Sequence, residues 1–212
     1  MGRTRTAGGF ALVLWLLAGC AVQPLPGDGG LLSEIRGVNE DDALEPDTLT
    51  DLDPWIVERL ERQVSPSLSA RDKLNAVRAL LFGEGGLGLQ YDGSTTRTAR
   101  EDIADRRGNC LAIASIFVAM ARHVGLDAEY RVVETVPTWG QRGDTAIWNE
   151  HVNISGRLGA NERYVLDVLP EPPVTLEESA RTVSDRFALA LHHSNLGAEA
   201  LLDDNHATAV RE

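Results

Sequence analysis

One stretch of this chain, residues 111–124, limits what it can fold into more than any other. It leaves little polar surface, because its apolar side chains are Leu111, Ile113, Ala114, Ile116, Phe117, Val118, Met120, Ala121 and Val124. A helix that is apolar on nearly all sides has to be buried. We therefore predict a central helix that begins after Gly108-Asn109-Cys110 and ends at Gly125, since glycine commonly ends a helix.

The segments before this helix add three further helices. Residues 54–64 are typical of a short helix, and Ser69 followed by Asp72 is typical of the start of a second one. On that second helix a single apolar face is formed by Leu74, Val77 and Leu81. The glycine-rich residues 83–88 end it, and a polar helix is expected over residues 96–106.

β-forming residues dominate the chain after the central helix. Three strands are predicted, over residues 130–136, 147–154 and 164–169. A glycine-containing hairpin loop at 155–161 joins the last two strands. After the prolines at 170–173 the pattern returns to helix, from 185 to 202 and again near His206. The predicted fold class is therefore α+β.

The last two strands place His151 and Asp167 on one face of the predicted sheet. If the hairpin is centred on Gly159, the two residues lie directly opposite each other, with Cβ atoms about 5 Å apart. Val152 and Ile154 then point to the other face and give it an apolar surface to pack. A slip of one residue would separate the pair onto opposite faces, so the pairing depends on the register.

Cys110 is predicted at the N-terminus of the central helix. Backbone N–H groups and the helix dipole stabilise a thiolate at this end, and Arg106 and Arg107 would add positive charge. A thiolate nucleophile needs a base or ion-pair partner, and the base needs an orienting group. His151 and Asp167 fit these roles. The alternative is a cysteine that serves only as a small buried hydrophobic residue, which is the commoner case for a lone cysteine.

The residues around Cys110 resemble a known family, the transglutaminase-like superfamily, in which a Gly-x-Cys opens a buried helix and later strands carry His and then Asp. Three stretches carry the resemblance: Arg107-Gly108-Asn109-Cys110-Leu111, Phe117-Val-Ala-Met-Ala-Arg122 and Val124-Gly-Leu-Asp-Ala128. The resemblance covers roughly residues 55–170 and implies a papain-like core with the central helix packed on an antiparallel sheet. It implies that Cys110 is the nucleophile, His151 the general base or ion-pair partner, and Asp167 the orienting residue.

The same resemblance implies acyl transfer. Cys110 would attack the amide carbonyl of a peptide, a protein or a cell-wall substrate and form a thioester. Water would resolve the thioester in a protease or amidase, and an amine would resolve it in a transglutaminase. Many relatives carry His-x-Trp and Asp-Pro, whereas this chain has His151-Val-Asn153 and Asp167-Val168, so the sequence leaves the acyl acceptor open. Tyr91 lies where the family often has an aromatic residue.

No metal, cofactor or nucleic acid is predicted. Zinc accepts cysteine, histidine and carboxylate ligands such as Cys110, His151 and Asp167, but no closely spaced ligand pair supports a zinc site. The chain has 32 acidic and 20 basic residues and a formal net charge of -12. Such a balance argues against nucleic acid, since phosphates are bound by clusters of Lys and Arg.

The N-terminus is typical of a secretion signal. Arg3 and Arg5 precede an apolar stretch, residues 10–18, that is about half the roughly 20 residues needed to span a bilayer. It ends in Leu17-Ala18-Gly19-Cys20, which resembles the lipobox of bacterial lipoproteins, in which the cysteine is lipidated and becomes the new N-terminus. The alternative is an ordinary cleaved signal that is followed by a coincidental cysteine.

The lipobox resemblance implies that lipidated Cys20 anchors the protein to the periplasmic face of a bacterial membrane. Ala21 follows it, and in one sorting pattern the absence of Asp at that position favours the outer membrane. Between Asp28 and Asp53 the chain carries nine acids and a single base, Arg36. Such a segment is self-repelling and extended, and we expect it to be a tether between lipid and domain.

The C-terminal residues resemble the start of a tetratricopeptide repeat. The residues concerned are Leu191-His-His-Ser-Asn-Leu196-Gly197-Ala-Glu-Ala-Leu201 and then His206-Ala-Thr-Ala209. The resemblance implies a docking surface for a protein or peptide partner. Stable arrays usually need three or more repeats, so helices that simply cap the core are the alternative.

The predicted organisation has four parts. A signal peptide over 1–19 is followed by a tether over 20–53, a transglutaminase-like domain over 54–172 and a helical segment over 173–212. We predict a lipid-anchored periplasmic acyl-transfer enzyme. The competing hypothesis is a non-catalytic binding module that keeps the fold and docks partners through its C-terminal helices.

Overall fold

A computed structural model describes residues 49–142, 145–169 and 180–212. The predicted signal peptide, Cys20 and all but the last few residues of the predicted tether lie outside this part of the chain. So does the end of the predicted 54–172 domain. The described residues belong to a unit that spans Asp42–Glu212.

Two helices open the described part of the chain, as predicted. Helix α1 is Pro54–Gln63 and helix α2 is Ala70–Phe82. The side chain of Ser69 accepts a hydrogen bond from the backbone N–H of Asp72 at 3.2 Å, which confirms the predicted N-cap. One face of α2 is buried, and it comprises Leu74, Val77, Leu80 and Leu81.

The end of the predicted tether packs on the domain. Leu49 is 9% exposed and belongs to the hydrophobic core, and Asp53 forms an ion pair with Arg100 at 2.5 Å. Leu49 is an apolar side chain whose burial is favourable. Residues 49–53, the described end of the predicted tether, therefore include side chains that contact the domain.

A short parallel ladder and one helix precede the central helix. Strand β1, Gln90–Tyr91, pairs with strand β2, Arg107–Gly108. Helix α3, Ala99–Asp105, lies between them, and the Thr98 side chain and Glu101 form a capping box at its start. The helix predicted over 96–106 is thus confirmed in its middle, and it is shorter because Thr98 stays extended to form the cap.

The predicted central helix is α4, Cys110–His123. Every residue from 111 to 121 is buried, which confirms the expectation drawn from its apolar surface. Its one buried hydroxyl, that of Ser115, donates to the Leu111 carbonyl at 2.8 Å and is therefore satisfied within the helix. Gly125 follows with a φ of 73°, a conformation that favours glycine.

The central sheet has four antiparallel strands in the order β5-β4-β3-β6. Their bounds are Glu129–Arg142 for β3, Thr145–Arg157 for β4, Arg163–Leu166 for β5 and Ala180–Val183 for β6. The four helices and this sheet confirm the α+β class. Phe117 of α4 contacts Tyr164 of β5 edge-on, with ring centroids 6.3 Å apart, so helix and sheet share one core.

Two predictions about the strands are wrong in detail. The hairpin of β4 and β5 is centred on Ala160 rather than Gly159, because Arg157 pairs with Arg163 and Ile154 with Leu166. The segment from residue 173 was expected to be helical, but its described part begins with strand β6. That strand is a four-residue edge strand with one buried residue, Val183, and is too short to show a clear alternating pattern.

The C-terminal helices follow β6. Helix α5, Asp185–Leu202, confirms the helix predicted over 185–202, and helix α6, His206–Ala209, confirms the restart near His206. Within the described ranges, no helix combines the length and the apolar character that crossing a membrane requires.

Candidate active site

Cys110 is the first residue of α4, and one side chain fixes the turn in front of it. The Oδ1 atom of Asn109 accepts from the backbone N–H of Ala112 at 2.9 Å, and its Nδ2 atom donates to the hydroxyl of Thr96 at 3.2 Å. Asn109 and Thr96 are both buried. Cys110 itself is half-buried and a free thiol, at the helix N-terminus where the sequence placed it.

The small parallel ladder holds the segment that leads into Cys110. The backbone N–H of Asp92 donates to the Gly108 carbonyl at 2.8 Å, and Tyr91 pairs with Gly108 in register. Position 108 requires a glycine, because a Cβ atom there would lie 2.8 Å from the Oδ2 atom of Asp102. The approach to the thiol is therefore close-packed against α3.

Tyr91 pairs with Gly108, two residues before Cys110 in the chain. Its side chain is half-exposed, and partial burial raises the pKa of its phenol, as do the negative charges of Cys110 and Asp92. The resemblance implies an aromatic residue at this position, and the structure pairs it with the segment that leads into Cys110.

His151 directly contacts one other member of the predicted group, Asp167. Its Nε2 atom lies 2.9 and 2.8 Å from the two carboxylate oxygens of Asp167. The side chain of Cys110 is near enough to be among the causes that raise the pKa of His151. The structure thus joins the imidazole to the carboxylate and places the thiol within their electrostatic reach.

The electrostatics of His151 favour the protonated ring. Burial lowers its pKa, but the hydrogen bond to Asp167, the interaction with the Cys110 side chain and the charges of both groups outweigh burial and raise the pKa to about 9. The ring is 15% exposed. An imidazolium at neutral pH is the partner that a thiolate needs.

The shifted register keeps the pair on one face. When the hairpin is centred on Ala160, residue 167 lies opposite Asn153 and diagonal to His151, a shift of two positions from the prediction. Since side chains alternate with a period of two, this shift leaves His151 and Asp167 on the same face. Diagonal neighbours on one face remain within reach of long side chains.

Asn153 is a site residue that the sequence analysis missed. Its Nδ2 atom donates to Asp167 at 3.1 Å, and the backbone N–H of Leu169 donates to the same carboxylate at 3.0 Å. Burial raises the pKa of Asp167, but the bond from His151 and these two donors outweigh it and hold the pKa below its usual value. A correct register would have shown that Asn153 lies opposite Asp167.

A second buried carboxyl, that of Asp102 in α3, lies behind Gly108. It is 1% exposed, and neither of its oxygens has a hydrogen-bond partner in the described part of the chain. Burial raises the pKa of Asp102 from 3.8 to about 7, although the charge of Arg97 opposes the shift. The sequence carried no sign that this residue would be buried, since it lies in a polar helix.

The group has the composition of a nucleophile, a base and an orienting residue. Among residues 49–142, 145–169 and 180–212, no set of three or more His, Cys, Asp or Glu side chains is arranged to hold a metal ion.

A family model, that of the transglutaminase-like superfamily, matches residues 57–167, slightly more than half of the chain. This chain belongs to the transglutaminase-like superfamily. No match was found among the curated proteins or among the solved structures.

The transglutaminase-like match begins within α1 and ends at Asp167. It therefore includes Cys110, His151 and Asp167. Strand β6 and helices α5 and α6 lie after the matched residues.

Proposed function

We propose that this protein is a cysteine-dependent acyl-transfer enzyme in which Cys110 is the nucleophile. His151 acts as general base and ion-pair partner, and Asp167 orients it. The observation that carries the proposal is the hydrogen bond from His151 to Asp167, with Nε2 2.8 Å from the carboxylate, on a ring whose pKa the side chain of Cys110 also raises. Membership of the transglutaminase-like superfamily supports the same type of chemistry.

The reaction begins from the ion pair. The thiolate of Cys110 attacks an amide carbonyl carbon, and the new C–S bond leaves a negative charge on the oxygen. The backbone N–H of Cys110, at the helix N-terminus, would help to stabilise that oxyanion. The C–N bond then breaks as His151 gives its proton to the departing nitrogen, which leaves a thioester and a neutral imidazole.

The second half of the reaction regenerates the ion pair. Water or an amine attacks the thioester carbonyl and passes a proton to His151, and the thiolate of Cys110 departs. Water gives hydrolysis and an amine gives a cross-link. The substrate is the amide of a peptide, a protein or the cell wall, and Tyr91, half-exposed and paired with the segment that leads into Cys110, would contact it.

The proposal includes the place where this chemistry occurs. The charged start, the short apolar stretch and the Leu-Ala-Gly-Cys ending support a lipoprotein signal, with Cys20 as the lipidated residue. Such a protein would be held at the periplasmic face of a bacterial membrane, the outer membrane by the sorting pattern at Ala21. Cys20→Ser should release it from the membrane fraction, and unchanged fractionation would contradict the anchor.

Thiol reactivity tests the proposed chemistry directly. In the full-length chain with Cys20→Ser, Cys110 is the only thiol, and iodoacetamide should modify it faster than a model thiol at about pH 5–8. His151→Ala should remove this advantage. A Cys110 that reacts no faster than the model thiol over this range would exclude an activated nucleophile.

The products identify the acceptor. Wild type and Cys110→Ala should be profiled with a library of peptides and amines, with release of the amide nitrogen and incorporation of amine as separate readouts. Both readouts should be lost in the variant. If Cys110→Ala instead leaves the cellular function intact, the chain is a non-catalytic binding module.

A further inference from the structure

Helix α5 contacts the last turn of α4, the helix that carries the proposed nucleophile, and it reaches the first turn of α4 indirectly through Thr96. Near its start, Asp185 forms two hydrogen bonds with Arg122, at 2.5 and 2.9 Å. Near its end, Glu199 accepts from the backbone N–H of Thr96 at 2.6 Å. At 1.5 Å per residue, the two acids are about 21 Å apart along α5, and Asn109 and Arg122 are about 20 Å apart. The matched spacings let α5 bind Arg122 at one end of α4 and Thr96, the partner of Asn109, near the other end.

The contact at Glu199 continues into the first turn of α4. Thr96, whose backbone is held by Glu199, offers its hydroxyl oxygen to the Nδ2 atom of Asn109 at 3.2 Å. The Oδ1 atom of that amide caps the N–H of Ala112 at 2.9 Å. We call these linked residues, Glu199, Thr96, Asn109 and Ala112, the Glu199 network.

The Glu199 network is protected from solvent at its centre. Thr96 and Asn109 are each 8% exposed, so water cannot readily replace a partner that is lost. The bond from Thr96 to the Glu199 carboxylate is charge-assisted, which makes it stronger than a bond between neutral groups. Removing that acceptor would leave a buried N–H unpaired and release the loop on which Asn109 depends.

We propose that Glu199 is a positioning residue for Cys110, which acts through Thr96 and Asn109 and does not touch the thiol. The inference rests on the proposed function, because it supplies the reason for holding the first turn of α4 in place. It goes beyond the family, since the transglutaminase-like match ends at Asp167 and Glu199 comes from helix α5, which lies after the matched residues. The helix that resembles a tetratricopeptide repeat is thereby assigned to support the site.

Alkylation of Cys110 in the full-length Cys20→Ser chain tests the role of Glu199. Glu199→Ala should slow the reaction with iodoacetamide about fivefold near pH 7, the factor expected from the loss of one hydrogen bond. Glu199→Gln keeps an acceptor oxygen and should stay within about twofold of the parent. Leu201→Ala, on the exposed surface of the same helix, is the matched control and should react like the parent.

Two results in this series would overturn the proposal. One is a Glu199→Ala variant that reacts at the rate of the Leu201→Ala control. The other is a Glu199→Gln variant as slow as Glu199→Ala, which would show that an acceptor oxygen at this position is not sufficient to hold Thr96.

Thr96→Val provides a second route if Glu199→Ala folds poorly. It removes the hydroxyl that Asn109 binds and keeps the backbone N–H that Glu199 accepts. Because both changes break one network, the double variant should be about as slow as Thr96→Val alone. Independent effects that multiply would contradict the network.

Hydrogen exchange separates this proposal from the proposed function. The Ala112 amide should exchange about fivefold faster in Glu199→Ala and remain unchanged in Leu201→Ala, whatever the reactivity of the thiol. A parent thiol no more reactive than a model thiol, with faster Ala112 exchange in the variant, would support the network and reject the enzyme. A reactive parent with unchanged Ala112 exchange would reject the network alone.

Discussion

The two sides of the candidate site are held together in different ways. On the sheet side, His151 and Asp167 are 16 residues apart in sequence and meet within one hairpin. On the helix side, the turn before Cys110 depends on partners as distant as Glu199, which binds Thr96 across 103 residues. The geometry of a hairpin follows mainly from its own register. The turn before Cys110 depends instead on contacts with distant parts of the folded chain.

Each side also contains a carboxyl of low exposure, and the pKa values of the two are shifted in opposite directions. Asp167 accepts from His151, Asn153 and a backbone N–H, and its pKa lies below the usual value. Asp102 has no hydrogen-bond partner in the described part of the chain, and burial raises its pKa to about 7. The ionised form is stabilised where the carboxylate faces the imidazole, whereas burial favours the neutral form of the acid behind the loop that carries the thiol.

Asp102→Asn removes the ionisable carboxyl on the helix side and has the largest expected effect. At low pH the carboxyl is protonated in both folded and unfolded chains. Between about pH 4 and 7 the unfolded chain loses its proton while the folded one keeps it, so wild type loses up to about 4 kcal/mol of unfolding free energy. Asparagine does not ionise, so the variant should gain stability over wild type at pH 8 relative to pH 4. Urea denaturation at both values measures this.

Asp105→Asn is the control for this experiment. Asp105 lies in the same helix but is exposed, in an ion pair with Arg97 at 2.7 Å. Its replacement should change the pH dependence of stability by less than about 1 kcal/mol. An Asp102→Asn variant whose stability follows wild type at both pH values would show that the carboxyl is not neutral in the folded protein.

The sequence predicted those parts of the site that depend on neighbours along the chain. The apolar run located α4, and the residues before it placed Cys110 at its start. The alternation of the hairpin put His151 and Asp167 on one face, and even an error of two positions in register did not separate them, because the side-chain period is two.

What the sequence did not predict depends on contacts between distant segments. Strand β6 is recognisable only through its pairing with β3, since residues 130–133 supply its partners. The burial of Asp102 follows from the approach of Gly108, and the role of Glu199 follows from the position of α5. None of these leaves a local pattern of spacing or composition.

Asp167→Asn tests the sheet side, with an intermediate effect. Loss of the carboxylate removes a charge-assisted hydrogen bond worth roughly 1.5–3 kcal/mol, so the pKa of His151 should fall from about 9 by about 1 or more. NMR titration of the imidazole measures this change, with the resonance of His123 at the far end of α4 as internal reference. An unchanged His151 titration would mean that Asp167 does not hold the imidazolium.

Asn153→Ala is expected to have the smallest effect. It tests whether the charge of Asp167 can be changed without changing the stability of the folded protein. The Nδ2 atom of Asn153 supports Asp167, but its Oδ1 atom is buried with no partner among the described residues. Truncation therefore removes one useful hydrogen bond and one unsatisfied acceptor, and the two changes offset each other. The unfolding free energy should change by less than about 1 kcal/mol.

The site should nevertheless respond to Asn153→Ala. With one donor fewer, the carboxylate of Asp167 is less favoured, and alkylation of Cys110 should slow by about two- to fivefold, the factor that a weak hydrogen bond supplies. Val165→Ala is the control, because this side chain lies on the neighbouring strand and is half-exposed. A large loss of stability with no change in alkylation would assign Asn153 to the packing of the sheet. Slower alkylation at constant stability would show that Asn153, which the hairpin register places opposite Asp167, helps to keep the pair of His151 and Asp167 charged.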